Sequence, residues 1–176
     1  MILRETELSG AHVVELDRKR DDRGWFARVW DGEALREAGL NGDLAQASTA
    51  FNERRSTLRG LHFQRPPHEE AKLVRCTRGA VYDVIVDLRP GSETFRRWLG
   101  VELTEENGLM LYVPEGFAHG YLTLADATET SYFISVPYAP GHAVGVRWDD
   151  PAFAIDWPAE PQVIGERDRA WPDFSG

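Results

Sequence analysis

Cysteine is almost absent. Cys76 is the only one in 176 residues, so an intrachain disulfide and a thiolate zinc site are both excluded. Long apolar runs are missing as well: no segment approaches the roughly 18 apolar residues of a membrane-spanning helix. The N-terminus has no apolar run behind its charged residues, and a cytoplasmic location is expected. Positive charge is scarce. Twenty Lys and Arg against 29 Asp and Glu leave a net charge of −9, the wrong sign for general nucleic-acid binding. A few local arginines would still suffice to hold the diphosphate of a nucleotide ligand. No repeat, linker or low-complexity tract divides the chain. Its length fits one domain over 1–176, large enough to bury roughly 70% of the surface exposed by the unfolded chain.

What is present is a succession of short strand-like segments. Turn signals recur about every 8 to 12 residues, the spacing of a β-sandwich or barrel. Strands are predicted over 12–16, 25–30, 44–50, 58–64, 72–75, 80–88, 97–103, 109–113, 119–124 and 130–136. The clearest is Val81-Tyr82-Asp83-Val84-Ile85-Val86-Asp87-Leu88. There Tyr82, Val84, Val86 and Leu88 share one face, which leaves Asp83 and Asp87 on the other with Val81 and Ile85. One helix is predicted over 31–38, with Asp31 as N-cap and Gly39 as stop. From Asp149 onward the chain is rich in proline and tryptophan and reads as an irregular strap. The fold class is all-β: a jelly-roll barrel with short helices and an irregular C-terminal tail.

Two histidine-bearing segments stand out within the predicted strands, Leu58-Arg59-Gly60-Leu61-His62-Phe63-Gln64 and Pro114-Glu115-Gly116-Phe117-Ala118-His119-Gly120. Glycine-flanked histidines on two strands suggest one pocket inside the barrel. The second segment resembles the P-x-G-x-x-H motif of the cupin family. The first takes the place of the first cupin motif but has Gln64 where a metal-binding histidine would stand. Together with Asp22-Arg23-Gly24-Trp25-Phe26, Ala71-Lys72-Leu73-Val74-Arg75, Trp148-Asp149-Asp150-Pro151 and Arg167-Asp168, the chain resembles the dTDP-4-dehydrorhamnose 3,5-epimerase family from about Asp21 to Phe174. These are metal-free cupins.

That resemblance implies inversion of carbons flanking the C4 ketone of a nucleotide-linked 6-deoxysugar, with no cofactor. Such chemistry needs a base, an opposed acid and a group to stabilise the enolate. His62 matches the family base, since imidazole titrates near neutrality. By resemblance Asp168 orients it, Tyr132 is the general acid and Lys72 holds the enolate oxygen. His119 and Asp83 form a second possible pair, because a carboxylate on an apolar strand face needs a partner. Arg23 and Arg59 match family phosphate contacts, and Tyr138 matches the residue that stacks on thymine. Gln46 and Arg167 complete the implied substrate contacts. The family also implies a homodimer, with the N-terminal region of about 1–40 exchanged between subunits and Arg23 serving the partner's site.

The chain departs from the family at Arg28, Phe133 and Ala143, and its Gln46-Ala47-Ser48-Thr49 is out of step with the usual Q-x-N. Two other enzyme classes compete. A metal-dependent cupin would offer His62, Gln64, Glu69 and His119 as ligands, although an amide is a poor substitute for imidazole. A ketoisomerase on a related nucleotide sugar would use the same base without Tyr132 and Asp168. A non-catalytic sugar or nucleotide binding module on the same barrel predicts loss of a proton-transfer residue, and none is lost.

Overall fold

A computed structural model of the chain describes residues 1–175. Two antiparallel sheets face each other. The first runs in spatial order β1 (Ile2–Glu5), β2 (His12–Glu15), β10 (Met110–Val113), β7 (Lys72–Arg78), β12 (Thr128–Ile134) and β5 (Gln46–Asn52). The second runs β13 (Ala143–Gly145), β6 (Thr57–Gln64), β11 (Phe117–Thr123), β8 (Ala80–Asp87) and β9 (Trp98–Thr104), with β14 (Val163–Ile164) parallel to β6. This is the expected jelly roll. A separate ribbon, β3 (Lys19–Asp21) with β4 (Gly24–Phe26), stands apart from both sheets.

Period-two alternation decides what each strand buries. On β8, Val81 and Ile85 join Val74 and Cys76 of β7 and Leu111 and Val113 of β10 in the core between the sheets. Val84 and Val86 turn the other way and pack under Phe153, Trp157 and Phe174 of the C-terminal segment. The outer face of the first sheet is covered by α1 (Gly32–Glu37), whose Leu35 packs on Leu73, Met110 and Tyr112. Asp31 caps α1 by accepting from Ala34 N at 3.3 Å, and Gly39, at φ +77°, ends it as expected.

Three expectations need correction. The strand predicted over 25–30 stops at Phe26, because Val29 and Trp30 leave it to cover the first sheet; Trp30 stacks on Phe133, with ring centroids 6.0 Å apart. The C-terminal strap contains regular structure, β14 and the one-turn helix α2 (Glu166–Arg169), both too short to show periodicity. Strands β1 and β13 escaped prediction because each is an edge strand of four residues or fewer.

Candidate active site

One end of the barrel interior is polar and holds a cavity of about 330 Å³. Its walls follow from the strand alternation. Lys72, Val74 and Cys76 share the inner face of β7, and Lys72 stands at the cavity end of that stripe. Tyr132 and Thr130 do the same on β12, and His119 and Tyr121 on β11. His119 is the cross-strand partner of His62 on β6. His62, Lys72, His119, Tyr132, Arg59, Tyr138 and Asp168 all line this one cavity. A larger hollow of about 770 Å³ lies beneath the C-terminal segment between Trp148 and Trp157, with neither histidine nor lysine in its lining.

The pairings inside the cavity are specific. His62 Nε2 lies 2.6 Å from Asp168 Oδ1, and the other carboxylate oxygen, Oδ2, accepts from Gly60 N at 3.2 Å. That second contact depends on glycine. Gly60, at φ +137°, meets Gly120 so closely that a Cβ on Gly120 would sit 2.6 Å from Arg59 O and 2.9 Å from Gly60 Cα. Burial pushes the Asp168 carboxyl up, but the His62 contact, the Gly60 N–H and Arg167 outweigh it and leave it below the ordinary carboxylate value. Asp168 is therefore ionised, His62 carries its proton on Nε2, and Nδ1 is the nitrogen left to accept one.

On β11, His119 Nε2 is 2.8 Å from Asp83 Oδ1, with Asp83 fully buried. Asp83 Oδ2 has no hydrogen-bond partner among the described residues. Lys72 Nζ pairs with Glu70 Oε1 at 2.7 Å, and the two side chains are only 9% and 11% exposed. The ammonium has three donors, so two remain after Glu70 takes one. Burial first, and then the neighbouring Tyr121, push the Tyr132 phenol well above its ordinary value, so it is protonated at neutral pH.

Several expected residues lie elsewhere. Gln46 does not line the cavity; its Oε1 accepts from Tyr138 N at 2.8 Å and so holds the loop that carries Tyr138. Arg167 donates to Ala143 O at 2.9 Å and lies over the Trp171 ring, which anchors α2 rather than reaching the cavity. Arg23 sits on the β3–β4 ribbon, paired with Asp21, and does not line its own chain's cavity. Arg28, Phe133 and Ala143, where the chain departs from the family, do not line the cavity either. Gln64 is occupied by His68 O and Ala139 N, and among the described residues no group of three or more His, Cys, Asp or Glu is placed to hold a metal ion.

Sequence reasoning missed Glu70, Ser48 and Tyr121 as cavity residues. Glu70 precedes β7 in a loop, where no alternation sets a side chain's direction. Tyr121 was findable, being two residues beyond His119 on the same strand face.

The family model for dTDP-4-dehydrorhamnose 3,5-epimerase matches residues 5–176. The chain belongs to that family. A relative from Sinorhizobium fredii named dTDP-4-dehydrorhamnose 3,5-epimerase is 44% identical over 165 residues, covering 92% of this chain and 85% of the relative. A solved structure of the enzyme from Elizabethkingia anophelis superposes with a TM-score of 0.95 at 37% identity, over 99% of this chain and 96% of that one. The Bacillus anthracis enzyme, solved with TDP and PPi bound, has a TM-score of 0.93 at 37% identity, over 98% and 99% of the two chains. Family membership favours the epimerase over the metal-dependent alternative.

Proposed function

We propose that the protein is an isomerase converting dTDP-4-dehydro-6-deoxyglucose to dTDP-4-dehydrorhamnose by proton transfer at C3 and C5. The observation that carries this reading is the convergence of a His62–Asp168 dyad, a buried ammonium and a neutral, partly buried phenol on one cavity. His62 Nδ1 takes the proton α to the C4 ketone, and Asp168 stabilises the imidazolium that forms, as the carboxylate does in a hydrolase triad. The free donors of Lys72 hold the enolate oxygen, and a preorganised charge is most effective on a side chain as little exposed as this one, at 9%. Glu70 keeps that ammonium paired and aimed. Tyr132 then returns a proton to the opposite face.

Arg59 and Tyr138, on the cavity rim, are assigned to the diphosphate and the base. His119 with Asp83 orders the inner wall beside Tyr132, whose ring meets that of His119 edge-on at 6.2 Å. Gln46 and Arg167 act through Tyr138 and α2. A homodimer completes the site. Trp25 and Phe26 on the β3–β4 ribbon are 45% and 72% exposed and need cover, and the same ribbon carries Arg23 toward a partner's diphosphate. β1, β2 and α1 pack in their own chain, so the ribbon is the part of the N-terminal region offered to the partner. No helix is long and apolar enough to cross a membrane among the described residues. A cytoplasmic site of action fits a chain whose lone cysteine is buried and unpaired.

The test is His62→Ala. Exchange of the substrate's α-protons with deuterated solvent should disappear, while dTDP binding by calorimetry stays within about threefold. Retained exchange would remove His62 from the base role.

A further inference from the structure

Tyr132 is a poor acid unless the charge left on its oxygen is accommodated. When its O–H bond breaks, the enolate's electron pair forms the new C–H bond and the ketone returns. The negative charge then sits on a phenolate with burial against it. Among the described residues no cation hydrogen-bonds the Tyr132 oxygen. What touches it is Thr130 Oγ1, at 3.0 Å. Thr130 Oγ1 in turn donates to the hydroxyl of Tyr121 at 3.3 Å, and Asn52 Nδ2 donates to that hydroxyl at 3.0 Å. Asn52 Oδ1 accepts from Arg59 Nε at 2.8 Å. Thr130, Tyr121 and Asn52 are 0%, 1% and 2% exposed, so no solvent competes along this path.

We infer that Thr130, Tyr121 and Asn52 form a poled hydroxyl chain that aims the Tyr132 proton into the cavity and supports the phenolate left behind. The inference rests on the epimerase reading of the same site. Arg59 fixes the orientation of the Asn52 amide. Its Nε–H must face the Asn52 carbonyl oxygen, which turns the Asn52 NH₂ toward Tyr121. When charge develops on the Tyr132 oxygen, the Tyr121 hydroxyl, with a donor pinned at that end, turns to donate to Thr130 and the Thr130 hydroxyl to the Tyr132 oxygen. Every hydrogen bond then points at the oxygen that becomes charged, and Tyr132's own O–H is left for substrate. While Tyr132 is neutral the chain runs the other way, with Thr130 donating to Tyr121 at 3.3 Å and Tyr121 to Asn52 Oδ1 at 3.4 Å. Rotation of two hydroxyls switches between the two, and no proton leaves the chain. After each inversion solvent water carries the proton from His62 back to Tyr132, so the same pair serves the second carbon.

The chain also links two parts of the substrate. Arg59 lies on the rim assigned to the diphosphate and reaches Asn52 from there, so the group that receives the nucleotide holds the far end of the support for the acid. Thr130 and Tyr121 are thus positioning residues that act through Tyr132.

The test uses the full chain as wild type, Tyr121→Phe, Thr130→Val and Thr130→Ser. It reads kcat and KM for inversion of dTDP-4-dehydro-6-deoxyglucose beside α-proton exchange with deuterated solvent. Y121F and T130V should each lower kcat for inversion at least tenfold, with KM and exchange within twofold of wild type, because His62 and the binding contacts are untouched. T130S, which restores the hydroxyl, should recover to within threefold. Y121F keeps the ring and tests the idea even where T130V fails to fold. Inversion within twofold of wild type in Y121F would overturn the inference, as would parallel loss of exchange and inversion. Wild-type protein exchanging no α-proton would overturn the epimerase reading, and this inference with it.

Discussion

Replacing Asp168 by asparagine isolates the dyad. The carboxylate now accepts two donors, His62 Nε2–H at 2.6 Å and Gly60 N–H at 3.2 Å. An amide offers one oxygen and one NH₂, so one donor must face another donor. If the oxygen stays on His62, the Gly60 N–H is left buried and unpaired, at a cost of about 1–3 kcal/mol in stability. If the amide flips, the NH₂ faces Nε2, the ring proton moves to Nδ1, and the base has no lone pair toward the cavity. Loss of the charge acts in both cases. A charge at about 4 Å in an effective dielectric of about 20 is worth roughly 4 kcal/mol to the imidazolium. The His62 side chain is 43% exposed, however, and solvent screens part of this. The charge-assisted hydrogen bond alone is worth about 2–3 kcal/mol, and this lower figure is the one adopted. It predicts a fall of roughly 30- to 150-fold in α-proton exchange. The assay is deuterium incorporation followed by NMR under saturating substrate. Exchange within threefold of wild type would refute the assignment of Asp168 to His62.

Other expectations follow from the same geometry. Tyr132→Phe should slow net inversion far more than α-proton exchange; equal loss of both would undermine a separate acid. Gly120→Ala places a Cβ against Arg59 O at 2.6 Å and should cost about 1–3 kcal/mol, read as a lowered thermal midpoint. Asp87 supplies a pH signature. Burial pushes its carboxyl up, but donors from Arg89, Ser92 and Thr94 outweigh that and bring it to about 2. Because this value is depressed, its contribution, on the order of 2 kcal/mol, is present above the ordinary carboxylate value of about 3.9 and is lost as pH falls toward 2. Denaturation midpoints of Asp87→Asn should lack that part of the acid dependence; an unchanged profile would contradict it.

How much of this was readable in advance depended on where each residue lies. Strands with strict alternation declared their faces, so β8 was legible to the residue, and Lys72, His119 and Tyr132 point inward as their strand positions require. Asp168 reached the site only through family resemblance. It sits on a one-turn helix in a tail without periodicity, and its contact with His62 spans 106 residues of sequence. Glu70 lies in a loop before β7, yet Lys72 draws its carboxylate into the cavity, an attraction no local pattern encodes. Gln46 and Arg167 show the converse. Both were expected at the substrate and instead hold the loop and the helix that carry Tyr138 and Asp168. The departures at Phe133 and Ala143 look consequential in a linear comparison, but Phe133 faces Trp30 outside the barrel and Ala143 lends its carbonyl to Arg167.

The central claim is that this cavity inverts carbons next to a ketone by proton transfer between its own side chains. The most direct measurement is incubation with dTDP-4-dehydro-6-deoxyglucose in deuterated buffer, with C3 and C5 followed by NMR. The account predicts deuterium at both carbons, together with the inverted configuration of dTDP-4-dehydrorhamnose. Absence of label at either carbon, or label acquired with retained configuration, would contradict it.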